Sequence, residues 1–330
     1  MAKRLVLKDV AQLAGVSEMT ASRALRDAPD VSKETRDKVK GIAAKIGYVP
    51  NRIAGALASQ SVNLVGVVVP SLSSFVFPEV LSGLSSGLDE SPLKPVIGVT
   101  GYDLDEEEDV IREMLSWRPS GLVVAGLEHT EAACALLAAA DCPVVEVMDV
   151  DGDAIAHCVG ISHVAAGQEM AQAVLSRGYR QIGFIGTKMP QDYRAGKRLD
   201  GFTKALQQAG LHLADSELYA GQSSMETGRD LTERMLARSP NIDCIYYSSD
   251  VMSVGGYMHC LANGMSVPND LAIAGFNNLP MLRGLPQRLA TTDAHRFEIG
   301  QRSAEIILRG MDGPRTRDVL APTISVGQSL

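Results

Sequence analysis

The chain has 330 residues, 45% of them apolar and 21% charged, and a net charge of −8. That length exceeds one ordinary domain, and the apolar content can fill two or three cores. No apolar run reaches the roughly 18 residues of a membrane span, and MAKRLVLKDV lacks the apolar segment of an export signal, so a cytoplasmic protein without a membrane partner is expected.

The charge is unevenly spread. Residues 1–60 carry 11 Lys/Arg against 6 Asp/Glu, whereas the remaining 270 carry 20 against 33. A basic head on an acidic body directs phosphate attraction to one end. Five cysteines, Cys134, Cys142, Cys158, Cys244 and Cys260, are scattered with no C-x-x-C pair. They read as reduced thiols rather than a disulfide frame or a zinc site.

In the head, Leu7–Arg26 reads LKDVAQLAGVSEMTASRALR. Its apolar positions do not follow one helical face. They fit two short helices broken at Ala14-Gly15-Val16, with Ser17 at the N-cap of the second. This is a helix-turn-helix, whose second helix enters the major groove. A third helix is expected from Ser32, as N-cap, to about Ile46, with Val39, Ile42, Ala43 and Ile46 as its buried stripe and Gly47 as its stop. The DNA-binding domain is therefore drawn at residues 1–47. On the second helix, Arg23 suits a bidentate contact to guanine, Glu18 can accept from cytosine, and Met19 offers an apolar surface. Ser17, Thr20, Ser22, Lys33 and Arg36 suit phosphates, which position without specifying.

The string DVAxxAGVSxxTxSRxL is more specific than a generic helix-turn-helix, and it resembles the opening of the LacI/GalR family of bacterial repressors. The following YVPNRIAGAL, within residues 48–61, is similar to the family's hinge. The resemblance implies that Asn51 and Arg52 contact the DNA backbone and that Leu57 wedges into a base step. Paired wedges need two chains, so a homodimer or tetramer on double-stranded operator DNA is implied.

From residue 62 onward, short Val/Ile-rich runs alternate with amphipathic stretches. The runs are 64–69, 96–99, 122–125, 144–148, 158–161, 182–185, 245–247 and 271–276. Helices are expected at 78–88, 106–117, 164–177, 198–209, 226–238, 251–263 and 296–309. The fold class is an all-α helix-turn-helix head plus an α/β body with two doubly wound parallel-sheet lobes. The family resemblance adds that the body is periplasmic-binding-protein-like. It places lobe 1 at about 62–161 plus 291–322, lobe 2 at about 162–290, and an effector cleft between them.

Candidate cleft residues follow. Ser71 and Phe77, after the first body strand, suit polyol contact and sugar stacking. Arg198, in R-L-D-G-F, matches the family arginine that grips the effector. Arg194 lies one turn earlier on the same face, and Lys188 adds a third cation. His129 and Glu146 are candidate hydroxyl partners, as is Ser249. Asn277 and Ser162 stand where relatives often carry acids. Cations retained where carboxylates are missing suit an anionic ligand. The phrases SEMTASRALR, PSLSSFVFPEVLSGL and VPNDLAIAGF also resemble the gluconate-operon repressor subgroup. This implies gluconate or a related sugar acid as effector, and release from the operator when it binds. A neutral sugar or other metabolite as effector stays open. So does a cytoplasmic solute-binding protein, which the extra head disfavours.

No G-x-x-x-x-G-K-[ST], G-x-S-x-G or H-E-x-x-H motif and no zinc-spaced cluster is present. No enzyme, cofactor or metal is expected.

Overall fold

The computed structural model describes residues 5–49, 62–73, 75–187, 192–221 and 223–330. It divides into two units, Met1–Val62 and Asn63–Leu330. The expected hinge contacts Asn51, Arg52 and Leu57, and the candidate cation Lys188, lie outside the described residues.

In the first unit, α1 (Leu7–Ala14) and α2 (Glu18–Leu25) form the helix-turn-helix, and α3 (Lys33–Ile46) packs across them. Gly15 turns the chain at φ 66°, a left-handed conformation that costs glycine little. Ser17 then caps α2, its hydroxyl accepting from the Thr20 amide at 3.1 Å. Ser32 caps α3 through the Thr35 amide at 3.3 Å. The buried residues are Val10, Ala11, Ala14, Ala21, Ala24, Val31, Val39 and Ala43. Five of the eight are alanines, so the helices approach closely but bury little apolar surface, and the head has a thin stability margin.

The second unit holds two sheets. The first runs β11-β5-β4-β3-β1-β2 and the second β7-β6-β8-β9. In the first lie β1 (Val62–Val69), β2 (Lys94–Val99), β3 (Pro119–Ala125), β4 (Val144–Asp149), β5 (His157–Ile161) and β11 (Arg317–Leu320). In the second lie β6 (Ile182–Thr187), β7 (Asp215–Tyr219), β8 (Cys244–Tyr247) and β9 (Ala272–Ala274). The ladders β1·β2, β3·β4, β4·β5, β5·β11, β6·β7, β6·β8 and β8·β9 are all parallel. The central strands of the first sheet are buried runs of Val and Leu, and in the second β6 and β8 bury Ile, Phe, Cys and Tyr, because strands covered on both faces must be apolar. A small antiparallel ribbon joins β10 (Thr291–Asp293) to β12 (Thr323–Ser325).

The helices are α4 (Val76–Leu88), α5 (Leu104–Ser116), α6 (Glu131–Ala138), α7 (His163–Ser176), α8 (Tyr193–Gln208), α9 (Met225–Arg238), α10 (Asp250–Ala262) and α11 (Arg296–Arg309). The chain passes from the first sheet to the second after β5, returns through β10 and α11 to β11, and ends beside β9, where the Ile273 amide donates to the Ser329 carbonyl. The second sheet is thus built from one continuous segment, and the first from two.

Two expectations need correction here. Helix α8 begins at Tyr193 rather than Arg198, because the Asp192 side chain accepts from the Ala195 amide at 3.2 Å and starts the helix a turn and a half earlier. Helix α6 and strand β7 were not expected at all.

Candidate functional site

The exposed face of α2 carries the base-reading candidates. Glu18 and Met19 stand in solvent, Met19 71% exposed. Arg23 does not extend freely. Its Nε donates to Asp30 Oδ1 at 3.2 Å, and Nη2 pairs with Asp30 Oδ2. Ser17 and Thr20 share a 2.9 Å hydroxyl contact within the cap. Ser22 is half-buried, and its carbonyl accepts from Arg26 Nε. Arg36 departs from the phosphate role expected of it. Its Nη2 donates to the carbonyls of Ala28 and Val31, both at 3.1 Å, and so holds the turn before α3.

In the second unit, a cavity of about 160 Å³ lies at the carboxyl ends of both sheets. That is where open α/β sheets place their ligands, since the loops diverge at the point where strand order reverses. Ser71 and Phe77 follow β1, and Tyr102 follows β2. Arg194 and Arg198 follow β6, and Ser249 follows β8. Phe276 and Asn277 follow β9. Six candidates, Ser71, Phe77, Arg194, Arg198, Ser249 and Asn277, therefore line one cavity.

Arg198 is the best-defined of them. It is 8% exposed, on the α8 face that crosses α7. The crossing is close because of Gly167, where a Cβ would stand 2.1 Å from the Arg198 carbonyl oxygen. Nη1 donates to His163 Nδ1 at 3.1 Å, Nη2 donates to the Ser248 carbonyl at 3.2 Å, and the guanidinium lies 4.0 Å from the Phe276 ring centre. Its Nε is buried with no partner among the described residues. Every one of these fixed partners is neutral. Burial lowers the Arg198 pKa, but a guanidinium stays protonated, so a buried positive charge remains without a paired carboxylate among the described residues. Asp192 also lines the cavity; its Oδ1 accepts from the Ala195 amide at the start of α8, and its charge favours the protonated Arg198 from a distance, without a direct ion pair. Arg194 adds a second cation, its guanidinium 5.6 Å from the Phe77 ring centre. The Ser249 hydroxyl is buried and unpartnered among the described residues, although it sits at the N-cap of α10. Asn277 adopts φ 112°, and its carbonyl accepts from Arg296.

His129 and Glu146 lie elsewhere, contrary to expectation. His129 Nδ1 meets Glu107 at 2.6 Å and its Nε2 meets Glu146 at 3.5 Å. Glu146 also accepts from the amides of Ile155 and Ala156 at 2.6 and 3.0 Å. Burial disfavours charge on His129, but the bonds to Glu107 and Glu146 outweigh it and push its pKa up to about 9. The three form an internal ion cluster, because a glutamate inside a buried strand must find a counter-charge. Ser162 is likewise absent from the cavity; its hydroxyl caps α7 through the Ala165 amide at 3.0 Å.

The cavity also contains residues that the sequence reading passed over, chiefly Tyr102, Met148, Asp192, His163 and Phe276. His163 is the first residue of α7, two positions past the end of β5, and so sits at the carboxyl edge of the first sheet where cavity residues are expected.

Residues 6–51 match bacterial regulatory proteins of the lacI family, and residues 63–327 match the periplasmic binding proteins and sugar binding domain of the LacI family. The chain belongs to the LacI family. This LacI-family chain is 38% identical to the HTH-type transcriptional regulator GntR of Pseudomonas aeruginosa, over 96% of the chain and 92% of that protein. It is 33% identical to the regulator of the same name in Escherichia coli K12, over 99% of both. A crystal structure of a LacI-family transcriptional regulator from Silicibacter pomeroyi superimposes with a TM-score of 0.94 at 53% identity, covering 98% of this chain and 99% of that one. The LacI-family assignment gives the two units their roles as a regulator's helix-turn-helix head and its α/β body. Among the described residues, no three His, Cys, Asp or Glu side chains are placed to hold a metal ion, and no helix is long and apolar enough to cross a membrane.

Proposed function

We propose that this LacI-family regulator represses transcription from operator DNA in the cytoplasm as a homodimer, and that a sugar acid of the gluconate type binds in the body cavity and releases it. The observation that carries the effector reading is Arg198, a buried cation whose fixed partners are all neutral, with Arg194 beside it. A buried charge with no directly paired carboxylate is costly, since Asp192 acts on it only from a distance, and an anionic ligand would supply the direct contact. Ser71 and Ser249 offer hydroxyl contacts for the polyol chain, and the Phe77 face is an apolar stop. The phrases similar to the gluconate-operon repressor subgroup support the same ligand class.

In the head, Arg23, Glu18 and Met19 are assigned to base edges and Ser17, Thr20 and Ser22 to phosphates. Effector and operator must weaken each other equally, because coupling between two binding sites is reciprocal.

The test is calorimetric titration with D-gluconate, other aldonic and keto acids, and glucose. An acid should bind, and Arg198→Gln should weaken it about 10- to 100-fold, the range for a charge-assisted hydrogen bond removed from a buried site. Binding of glucose alone overturns the anionic reading.

A further inference from the structure

We propose that His163 is a positioning residue with two separate tasks, one on each ring nitrogen: Nδ1 sets the Arg198 guanidinium, and Nε2 ties that setting to the end of β4. The inference rests on the effector reading just given.

The two nitrogens are assigned by their partners. An arginine can only donate, so Nδ1, 3.1 Å from Arg198 Nη1, must accept. A carbonyl can only accept, so Nε2, 2.8 Å from the Met148 oxygen, must carry the proton. The ring is therefore neutral and locked in one tautomer. It is 1% exposed, and its ring centre lies 5.8 Å from that of Phe276. Burial, then the charges of Arg198, Arg194 and Lys197, hold its pKa well below the ordinary value, while the Met148 carbonyl acts in the opposite sense.

The geometry makes His163 a link rather than a filler. Met148, on β4 of the first sheet, lines the cavity at φ 78°, a left-handed conformation rare outside glycine. Its neighbour Asp149 binds Lys197, which directly precedes Arg198. Adjacent residues of α8 are thus tethered to adjacent residues of β4, one directly and the other through His163. A ligand that shifts Arg198 pulls on Met148 through a bond whose two ends cannot exchange roles.

Two substitutions separate the tasks, because an asparagine amide ends near the position of Nδ1 and a glutamine amide near that of Nε2. His163→Gln keeps the tether and loses the acceptor. It should weaken D-gluconate binding about 10- to 100-fold. His163→Asn keeps the acceptor and loses the tether. It should bind gluconate more tightly than His163→Gln does, while the ratio of operator affinities without and with saturating gluconate falls at least about fivefold. Parental affinity in His163→Gln, or a parental ratio in His163→Asn, overturns the proposal.

Nitrogen-15 spectra of the ligand-free parent give a readout that needs no effector. Among six histidines, the resonance lost in His163→Asn should show a protonated Nε2 and a bare Nδ1 from pH 8 down to 5.5. The other tautomer, or titration near pH 6.5, overturns the proposal. If the parent fails to bind gluconate, the effector reading falls, and these spectra alone decide whether His163 is set as described.

Discussion

Replacing Lys197 with methionine tests whether the direct tether between α8 and β4 contributes to stability. The ammonium lies 2.6 Å from Glu128 Oε1 and 2.6 Å from Asp149 Oδ2, so one cation from the second sheet's side holds two carboxylates on the first sheet's side. Asp149 is fully buried, whereas Lys197 and Glu128 are 19% and 26% exposed. Removing one partner of a buried pair costs about 3–5 kcal/mol, because the remaining charge stays buried. Partial exposure of the other two groups reduces that, and the Asp151 amide, 2.8 Å from Asp149 Oδ1, still supports the carboxylate. A loss of about 2–3 kcal/mol is expected, with the methionine stem preserving the packing. Adding Asp149→Asn removes the stranded charge and should recover at least about 1 kcal/mol, a non-additivity expected only of groups in contact. Urea unfolding at pH 7, followed by the single tryptophan, Trp117, measures both. A Lys197→Met cost below about 0.5 kcal/mol, or strictly additive costs, refutes the reasoning. The pH dependence has a definite sign. Burial disfavours the ammonium, but Asp149 and Glu128 raise its pKa above the ordinary lysine value of 10.5, so the stabilisation is complete below that value and disappears as pH rises through the folded one.

Three further outcomes follow from local geometry. Gly83→Ala should lower body stability by about 3 kcal/mol in thermal unfolding, since its Cβ would stand 1.9 Å from the Phe297 carbonyl oxygen where α4 crosses α11. Gly41→Ala should instead stabilise the head by about 1 kcal/mol in the same assay, because it lies within α3 with open space around the added methyl. The buried His129 has its pKa raised from 6.5 to about 9, so its contribution is fully present below pH 6.5 and should be lost as pH rises through about 9. Urea midpoints of the parent should fall across that interval more than those of Glu146→Gln, and equal slopes would exclude the ion cluster as the cause.

Sequence reveals what repeats and conceals what depends on partners. The apolar runs of β1, β3, β4, β6 and β8 declare buried strands because both faces need apolar cover. Strand β7, DSELY, is an edge strand with alternating exposure, so it lacks that run. Helix α6, EAACALLA, is short and apolar on most sides, so no single face announces it. In the cavity, Arg198 was legible as a cation in a recognisable phrase. Its burial against Phe276 and His163 was not, because those residues come from three distant segments. Glu146 shows the opposite error. A carboxylate in an apolar strand signals a partner, but sequence does not tell a ligand from a histidine fifteen or twenty positions away.

The two-segment construction of the first sheet also bears on the order in which the protein forms on the ribosome. The helix-turn-helix head emerges first and makes only local contacts, which close quickly. Strands β1 to β5 follow, yet the edge of β5 stays open until β11 arrives. By then all of β6 to β9 has been made, so the intervening lobe can complete its sheet while its host still lacks a strand and a covering helix. During that interval the β5 edge offers unpaired amides and carbonyls to any strand nearby, which makes the nascent chain, rather than the finished regulator, the form most exposed to mispairing.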